Sequence, residues 1–266
     1  MPITKTTTGF ALQQQRITGT AYYTVFSPLS VPGCALWLDA SDSSTVTGSS
    51  PITGWTEKSG NNRPITINSG PTYGTTQQHD KKTMYFSGNS LTTSIASAVG
   101  TGDFTLVAVW KPYSAGLFSV LSLGTSQSSS QSLGYNGSYF NFYQFGSYES
   151  HYVTSPKWAI QIGTRIASVK TVYVTGTGAT PSTYDIFNEQ DTAVMIGNGD
   201  TFFVTGEVAE ILIYTGTMSD SNRQQLESYL AQKWGLTADL PAGNAFFTNP
   251  AGSPHVGVVK PSLTPL

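Results

Sequence analysis

Two pairs of carboxylates lie close enough in sequence to be weighed as a general acid and its partner. Glu189 and Asp191 flank Gln190, and Glu207 and Glu210 flank Val208 and Ala209. Glycoside hydrolysis needs such a pair, because one carboxyl protonates the leaving oxygen while the other attacks or activates water. Side chains alternate along a strand, so Glu207 and Glu210, three apart, are expected on opposite faces. His79, His151 and His255 have no neighbouring ligand at metal spacing and are expected at the surface. No serine sits in a Gly-x-Ser-x-Gly elbow. Cys34, the one cysteine, lies in an apolar run with no histidine nearby and reads as an inert core thiol. Gly197-Asn198-Gly199-Asp200 offers one amide and one carboxylate oxygen. By themselves these four residues read as an ordinary turn. Tyr135, Tyr139, Tyr143 and Tyr148 cluster near an expected hairpin and are the candidates for stacking on sugar rings. Ordinary β-propensity would also put tyrosines there.

The elements that must position these residues are mostly strands. Cys34 to Asp39, Met84 to Phe86, Leu91 to Ile95, Phe104 to Lys111, Leu117 to Leu123, Trp158 to Ile162, Val169 to Val174 and Ala193 to Ile196 all read as short strands between Gly- and Pro-containing turns. Trp55 is expected to open another, residues 63–83 to be rich in turns, and Asn136-Gly137 to close a type I′ hairpin. Val208 to Tyr214 is a nearly continuous apolar run, the pattern of a strand buried on both faces. One convincing helix follows it. Ser219 is a good N-cap, Leu226, Tyr229, Leu230 and Trp234 make an apolar stripe, and Gly235 suits a left-handed C-cap. This helix is expected at the edge or end of a sandwich, with Trp37, Trp55, Phe86, Ile211, Ile213 and Trp234 in the core.

Composition narrows the classes of function. Charged residues are 11% of the 266-residue chain and the net charge is −2. Typical soluble domains carry about 25% charged residues. Without a basic block, nucleic-acid binding is disfavoured. No run of 18 apolar residues is present, so no membrane insertion is expected. No apolar leader precedes the first strands, and synthesis in the cytoplasm without a signal peptide is expected. A surface poor in charge and rich in Ser, Thr, Asn and Tyr suits neutral partners such as glycans or other protein subunits.

Four blocks, in order, resemble the laminin-G/concanavalin A-like module of large DNA virus and phage structural proteins. They are the run from Phe26-Ser27-Pro28 through Cys34-Ala35-Leu36-Trp37-Leu38-Asp39 to Asp42, Trp55-Thr56-Glu57-Lys58-Ser59-Gly60-Asn61, Tyr85-Phe86-Ser87-Gly88, and Met195-Ile196-Gly197 with Gly206 to Tyr214 and its helix. The resemblance implies an all-β fold: a two-sheet antiparallel jelly-roll sandwich with one C-terminal helix. The domain plan expected is an extended N-terminal arm over 1–30, the sandwich over 31–236 and an extended, proline-containing tail over 237–266. Laminin-G modules place calcium at a rim, which is where Asn198 and Asp200 would serve. Glycosidases of similar fold carry a Glu-x-Asp-x-x-Glu run on one strand. Here Glu189-Gln190-Asp191 is followed by Thr192, Ala193 and Val194, so the third acid is missing.

The first functional expectation is a non-enzymatic virion component, a minor capsid or surface-decoration protein whose arms dock on neighbouring capsid subunits. Phe10, Leu12, Tyr22, Tyr23, Phe246, Phe247 and Val258 are the docking residues expected. The alternative is a glycan-binding adhesion module that contacts a host surface, and a glycoside hydrolase comes third. The fold hosts all three classes, so the resemblance does not choose among them.

Overall fold

In the computed structural model, residues 14–17, 21–24, 26–95, 102–113, 116, 118–124, 130–144, 147–183, 193–199 and 202–244 are described. Thr205–Thr215 is the strand about which the rest is arranged. One edge pairs along its length with Phe104–Pro112. The other edge is divided: Lys81–Ser87 takes Thr205 to Val208, and Cys34–Asp39 takes Glu210 to Tyr214. Beyond these neighbours the first sheet runs outward through Ala159–Ile166, Val169–Val174 and Thr177–Gly178 on one side and Thr72–Gln78 on the other. The second sheet runs Ser147–Tyr152, Tyr139–Gln144, Gln131–Tyr135, Phe118–Leu123, Ala193–Ile196, Ser90–Ser94, Thr66–Ser69, and all its pairings are antiparallel. The main core fills the space between the sheets. Phe104, Leu106, Trp110, Ile211 and Ile213 enter it from the first sheet, and Leu121, Leu133, Phe140 and Phe142 from the second.

The continuous apolar run of Thr205–Thr215 has a direct cause. Val208, Ile211 and Ile213 face the core between the sheets, while Ala209, Leu212 and Tyr214 face the opposite way into a second apolar cluster. That second cluster lies under the helix Asp220–Trp234. Ser219 Oγ accepts the Asn222 amide at 3.2 Å, and Gly235 closes the other end at φ 71°. Leu226, Leu230, Ala231 and Trp234 pack on Trp37, Val107, Val109, Ile160, Ile162 and Leu212. The helix therefore lies across the outer face of the first sheet, not at the edge or end of the sandwich as the sequence suggested. Central strands that are apolar on both sides leave a face that must be covered. A 15-residue helix, about 22 Å long, spans four to five strands at their usual spacing.

The packed body reaches beyond 31–236 at both ends. The Phe26 ring meets Tyr229 at 5.7 Å, and the Tyr214 hydroxyl donates to the Pro28 carbonyl at 3.0 Å. Leu236 and Leu240 join the cluster beneath the helix, and Ser228 Oγ donates to Asn244 Oδ1 at 3.1 Å. The N-terminal arm is not wholly extended: Gln14–Ile17 and Ala21–Thr24 pair as an antiparallel hairpin. Tyr22 and Tyr23 belong to that hairpin, and their side chains lie outside the described residues, as do Phe10, Leu12, Phe246, Phe247 and Val258.

Three local expectations are corrected. Trp55 ends the strand Ile52–Trp55 instead of opening one. Residues 63–83 hold two whole strands, Thr66–Ser69 and Thr72–Gln78, and the start of Lys81–Ser87; the first two are largely polar and half-exposed, which hides them in the sequence. The Asn136-Gly137 hairpin forms, but three residues, 136–138, separate its strands. Asn136 Oδ1 accepts the Ser138 and Tyr139 amides, and Gly137 alone takes a positive φ, 96°. Of the described residues, no helix is long and apolar enough to cross a membrane.

Candidate functional site

The outer face of the second sheet is where exposed aromatic rings collect. In Tyr139–Gln144 the even residues Phe140 and Phe142 point into the core, which sends Tyr139, Asn141 and Tyr143 outward. Register places them opposite Tyr152, Ser150 and Tyr148 of Ser147–Tyr152. Tyr139 and Tyr152 are 39% and 60% exposed. Their rings stand edge to face, with centroids 5.4 Å apart. Between this pair and Tyr143 lies Asn141, 1% exposed, whose Oδ1 accepts Ser150 Oγ at 2.7 Å. Its Nδ2 has no acceptor among the described residues. A buried amide nitrogen without a partner costs about 1–3 kcal/mol, so it wants an oxygen that the described residues do not supply. Farther across the same face, Gly134 lies opposite Asn141 and Ser132 opposite Tyr143. A hydroxyl chain then links Ser132, Ser122 and Ser119 at 2.6 and 2.8 Å.

The four tyrosines expected to bind sugars are not one group. Tyr139 and Tyr143 share this face, and the backbone of Tyr148 lies on it opposite Tyr143. The Tyr148 side chain is outside the described residues. Tyr135 is excluded. It alternates with Gly134 and so points inward with Leu133, where it is buried against Phe140 at 5.2 Å. Tyr152, the most exposed of the ring pair, was missed because it lies beyond the hairpin; its cross-strand register to Tyr139 is what brings it in.

On the opposite side of the molecule a charged clasp ties the helix to the first sheet. Paired positions show how it arises. Ala209 is an extra residue, since Val109 pairs with Glu210 while Trp110 pairs with Val208. This β-bulge rephases the strand, so Glu207 and Glu210 share the outer face, contrary to the alternation expected from sequence. They still do not make a catalytic pair. Glu210 is wholly buried beneath the last helical turn, taking Trp37 Nε1 at 2.6 Å, Trp234 Nε1 at 2.7 Å and Lys233 Nζ at 2.8 Å. Lys233 also meets Asp39 Oδ1 at 2.7 Å, and Lys58 bridges Asp39 and Asp42 at 2.8 and 2.9 Å. Burial pushes the Glu210 carboxyl up, and Lys233 only partly offsets it. Burial acts on Asp39 in the same direction, but the ammonium groups of Lys233 and Lys58 outweigh it and hold the carboxyl at about 2. Glu57, from the same sequence block, turns back on its own loop by accepting the Ser59 and Arg63 amides. The resembling blocks around Trp37, Lys58, Glu210 and Trp234 thus converge on a structural joint.

The remaining candidates separate. Glu189 and Asp191 lie outside the described residues, as do Asp200 and His255. Asn198 is buried, and its Oδ1 has no partner among the described residues. Nowhere among those residues do three or more His, Cys, Asp or Glu side chains form a group able to hold a metal. His79 is exposed in the turn before Lys81–Ser87, where its Nδ1 lies 3.1 Å from the Lys233 carbonyl. His151 is half-buried on Ser147–Tyr152. Burial, with Coulombic repulsion by Glu57 next, pushes the Cys34 thiol up to about 12, which leaves it protonated and unreactive at neutral pH.

No protein-family model matches the chain, and no curated protein matches it in sequence. Solved structures do. Domain 4 of AbnA, a GH43 extracellular arabinanase from Geobacillus stearothermophilus solved with arabinotriose, aligns with a TM-score of 0.53 at 14% identity, over 73% of this chain and 98% of that one. The binding domain of botulinum neurotoxin serotype D aligns with a TM-score of 0.54 at 13% identity, over 75% of this chain and 53% of its own. A structure of botulinum neurotoxin type C, whose cell entry is dependent upon interaction with two ganglioside molecules, aligns with a TM-score of 0.54 at 12% identity over 74% of this chain and 51% of that one. This chain spans about half the length of the two neurotoxin chains. The fold is the concanavalin A-like sandwich. At these identities the likeness establishes fold and nothing finer.

Proposed function

We propose that the protein is a glycan-binding module that recognises neutral sugars on the outer face of its second sheet, without turning them over. The observation that carries the reading is the exposed Tyr139–Tyr152 pair beside Asn141, whose buried Nδ2 lacks an acceptor. An aromatic face is electron-rich and attracts the C–H face of a pyranose or furanose ring, while a free amide donor selects a hydroxyl oxygen. The arabinotriose in the arabinanase domain and the gangliosides of neurotoxin type C support a sugar as ligand for a sandwich of this kind. Binding without turnover is supported by Glu210, which is sealed under the helix and cannot partner Glu207. Display on a particle surface is the setting we propose, on the strength of the sequence resemblance; docking through the arms is its companion proposal.

The test is titration of the full chain with neutral arabino-, gluco- and manno-oligosaccharides by calorimetry, alongside a reducing-sugar assay. Tyr152→Ala is expected to weaken binding about tenfold, the equivalent of roughly 1.4 kcal/mol. No reducing sugar is expected above background. Unchanged affinity in a Tyr139→Ala/Tyr152→Ala double variant would sink the assignment of this face. Release of sugar that stops on Glu207→Gln would replace it with a hydrolase.

A further inference from the structure

The outer face of the first sheet is not wholly covered by the helix. Lys233 and Trp234, its last two residues, contact Glu210, and Glu207 lies beyond them on the same face. Glu207 pairs with Tyr85 on one side and with Lys111 on the other, giving a row across three strands. Tyr113 stands beside this row, its amide donating to the Thr205 carbonyl at 3.0 Å. It is 41% exposed, and its ring lies 5.9 Å from that of Tyr85. Glu207 is only 5% exposed, and Thr83 Oγ1 holds its Oε2 at 3.0 Å. Thr83 is itself braced by Thr76 Oγ1 at 2.7 Å. Among the described residues Oε1 has no hydrogen-bond partner. Lys111, directly opposite, does not take it; its ammonium sits 5.4 Å from the Tyr113 ring instead.

We infer that Tyr85, Glu207, Lys111 and Tyr113 form a second sugar site, on the side of the sandwich opposite the Tyr139–Tyr152 face. The chemistry selects a neutral polyol ring. A braced carboxylate with one free oxygen accepts a hydroxyl, and charge-assisted bonds of that kind are about twice as strong as neutral ones. The exposed Tyr113 face takes the ring's C–H surface. A cationic ligand is disfavoured because Lys111 already supplies the cation over Tyr113 and balances the Glu207 charge. An anionic ligand would have to approach Glu207 itself. The inference borrows from the proposed function only the class of ligand, since the two surfaces share no residue. With two sites on opposite sheets, one chain could bridge two glycan strands.

The experiment is backbone-amide NMR on the full chain titrated separately with cellohexaose, mannohexaose, arabinohexaose and choline chloride. At least one hexaose is expected to shift the amides of Lys111, Tyr113, Thr205 and Glu207. Tyr113→Ala should abolish those shifts and leave any at Tyr139 and Tyr152 intact, whereas Tyr152→Ala should do the reverse. Glu207→Gln, which keeps the shape and the Thr83 contact, should weaken the hexaose that binds this row about tenfold. Shifts confined to the Tyr139–Tyr152 face, a row moved by choline and by no hexaose, or no shift in the row at all would each overturn the second site. Shifts in the row alone would uphold it while removing the proposed first face.

Discussion

Lys233→Met is the sharpest test of how the helix is held. The ammonium group meets Glu210 at 2.8 Å and Asp39 at 2.7 Å, with all three side chains largely out of water. Methionine keeps most of the stem's volume, so packing against Trp234 and Tyr229 changes little. What changes is the charge, because two buried carboxylates then face each other without the cation between them. Asp39 retains Lys58 at 2.8 Å, and Glu210 retains two indole donors, so the loss is less than that of an isolated buried charge. Removing one partner of a buried pair typically costs about 3–5 kcal/mol, and we expect roughly 3. In a domain of this size that lowers the melting midpoint by about 6–12 °C. A pH series adds a second readout. Without Lys233 the Glu210 carboxyl, already raised by burial, rises further and takes up a proton in the folded state more readily. The deficit should therefore shrink as pH falls from 8 to 5, and Glu210→Gln in the Lys233→Met background should recover part of it at pH 8. A cost under about 1 kcal/mol at neutral pH, or a deficit independent of pH, would refute the idea that this charge cluster fastens the helix.

Two further outcomes can be checked by melting experiments. Asp39 is held at about 2 in the folded chain against an ordinary 3.8, so its contribution is complete above pH 4 and is lost as pH falls toward 2. The loss should be on the order of 2 kcal/mol and should vanish from the acid limb of the pH–stability curve in Asp39→Asn. Deleting residues 1–25 should leave the midpoint unchanged, whereas deleting 1–30 removes the buried Phe26 ring and the Pro28 carbonyl that holds Tyr214, at a cost of about 2–4 kcal/mol. Equal midpoints for the two deletions would show that Phe26 contributes nothing to the helix layer.

Most of the fold could be read because its signals are local and periodic. Cys34–Asp39, Val169–Val174, Ala193–Ile196 and the helix with its Ser219 and Gly235 caps all form where the residue pattern puts them. The strands that escaped, Thr66–Ser69 and Thr72–Gln78, are polar, and threonine and glutamine occur in loops as readily. The helix was legible as an element but its place was not, since the covering of an outer face depends on Val107, Val109, Ile160 and Ile162, far away in sequence. The site was half legible. Tyr139 and Tyr143 follow from alternation, but Tyr152 enters through cross-strand register, and Tyr135 is lost to the core by the same rule.

The Glu207 and Glu210 pair shows why a period-two reading fails at the point that matters most for function. A regular strand would have turned Glu210 into the main core, where Val208 and Ile211 now stand, and a carboxylate there would be unpaired and very costly. The extra residue Ala209 turns it instead toward two indole donors and a lysine from the helix. The bulge also lies where the second edge of the strand passes from Lys81–Ser87 to Cys34–Asp39, a junction at which a break in the ladder disrupts neither pairing. One inserted residue therefore joins three features: the change of strand partner, the anchoring of the helix, and the release of Glu207 onto the uncovered part of the same face. The sealed acid holds the fold together, and its neighbour three positions earlier is left free to meet a ligand.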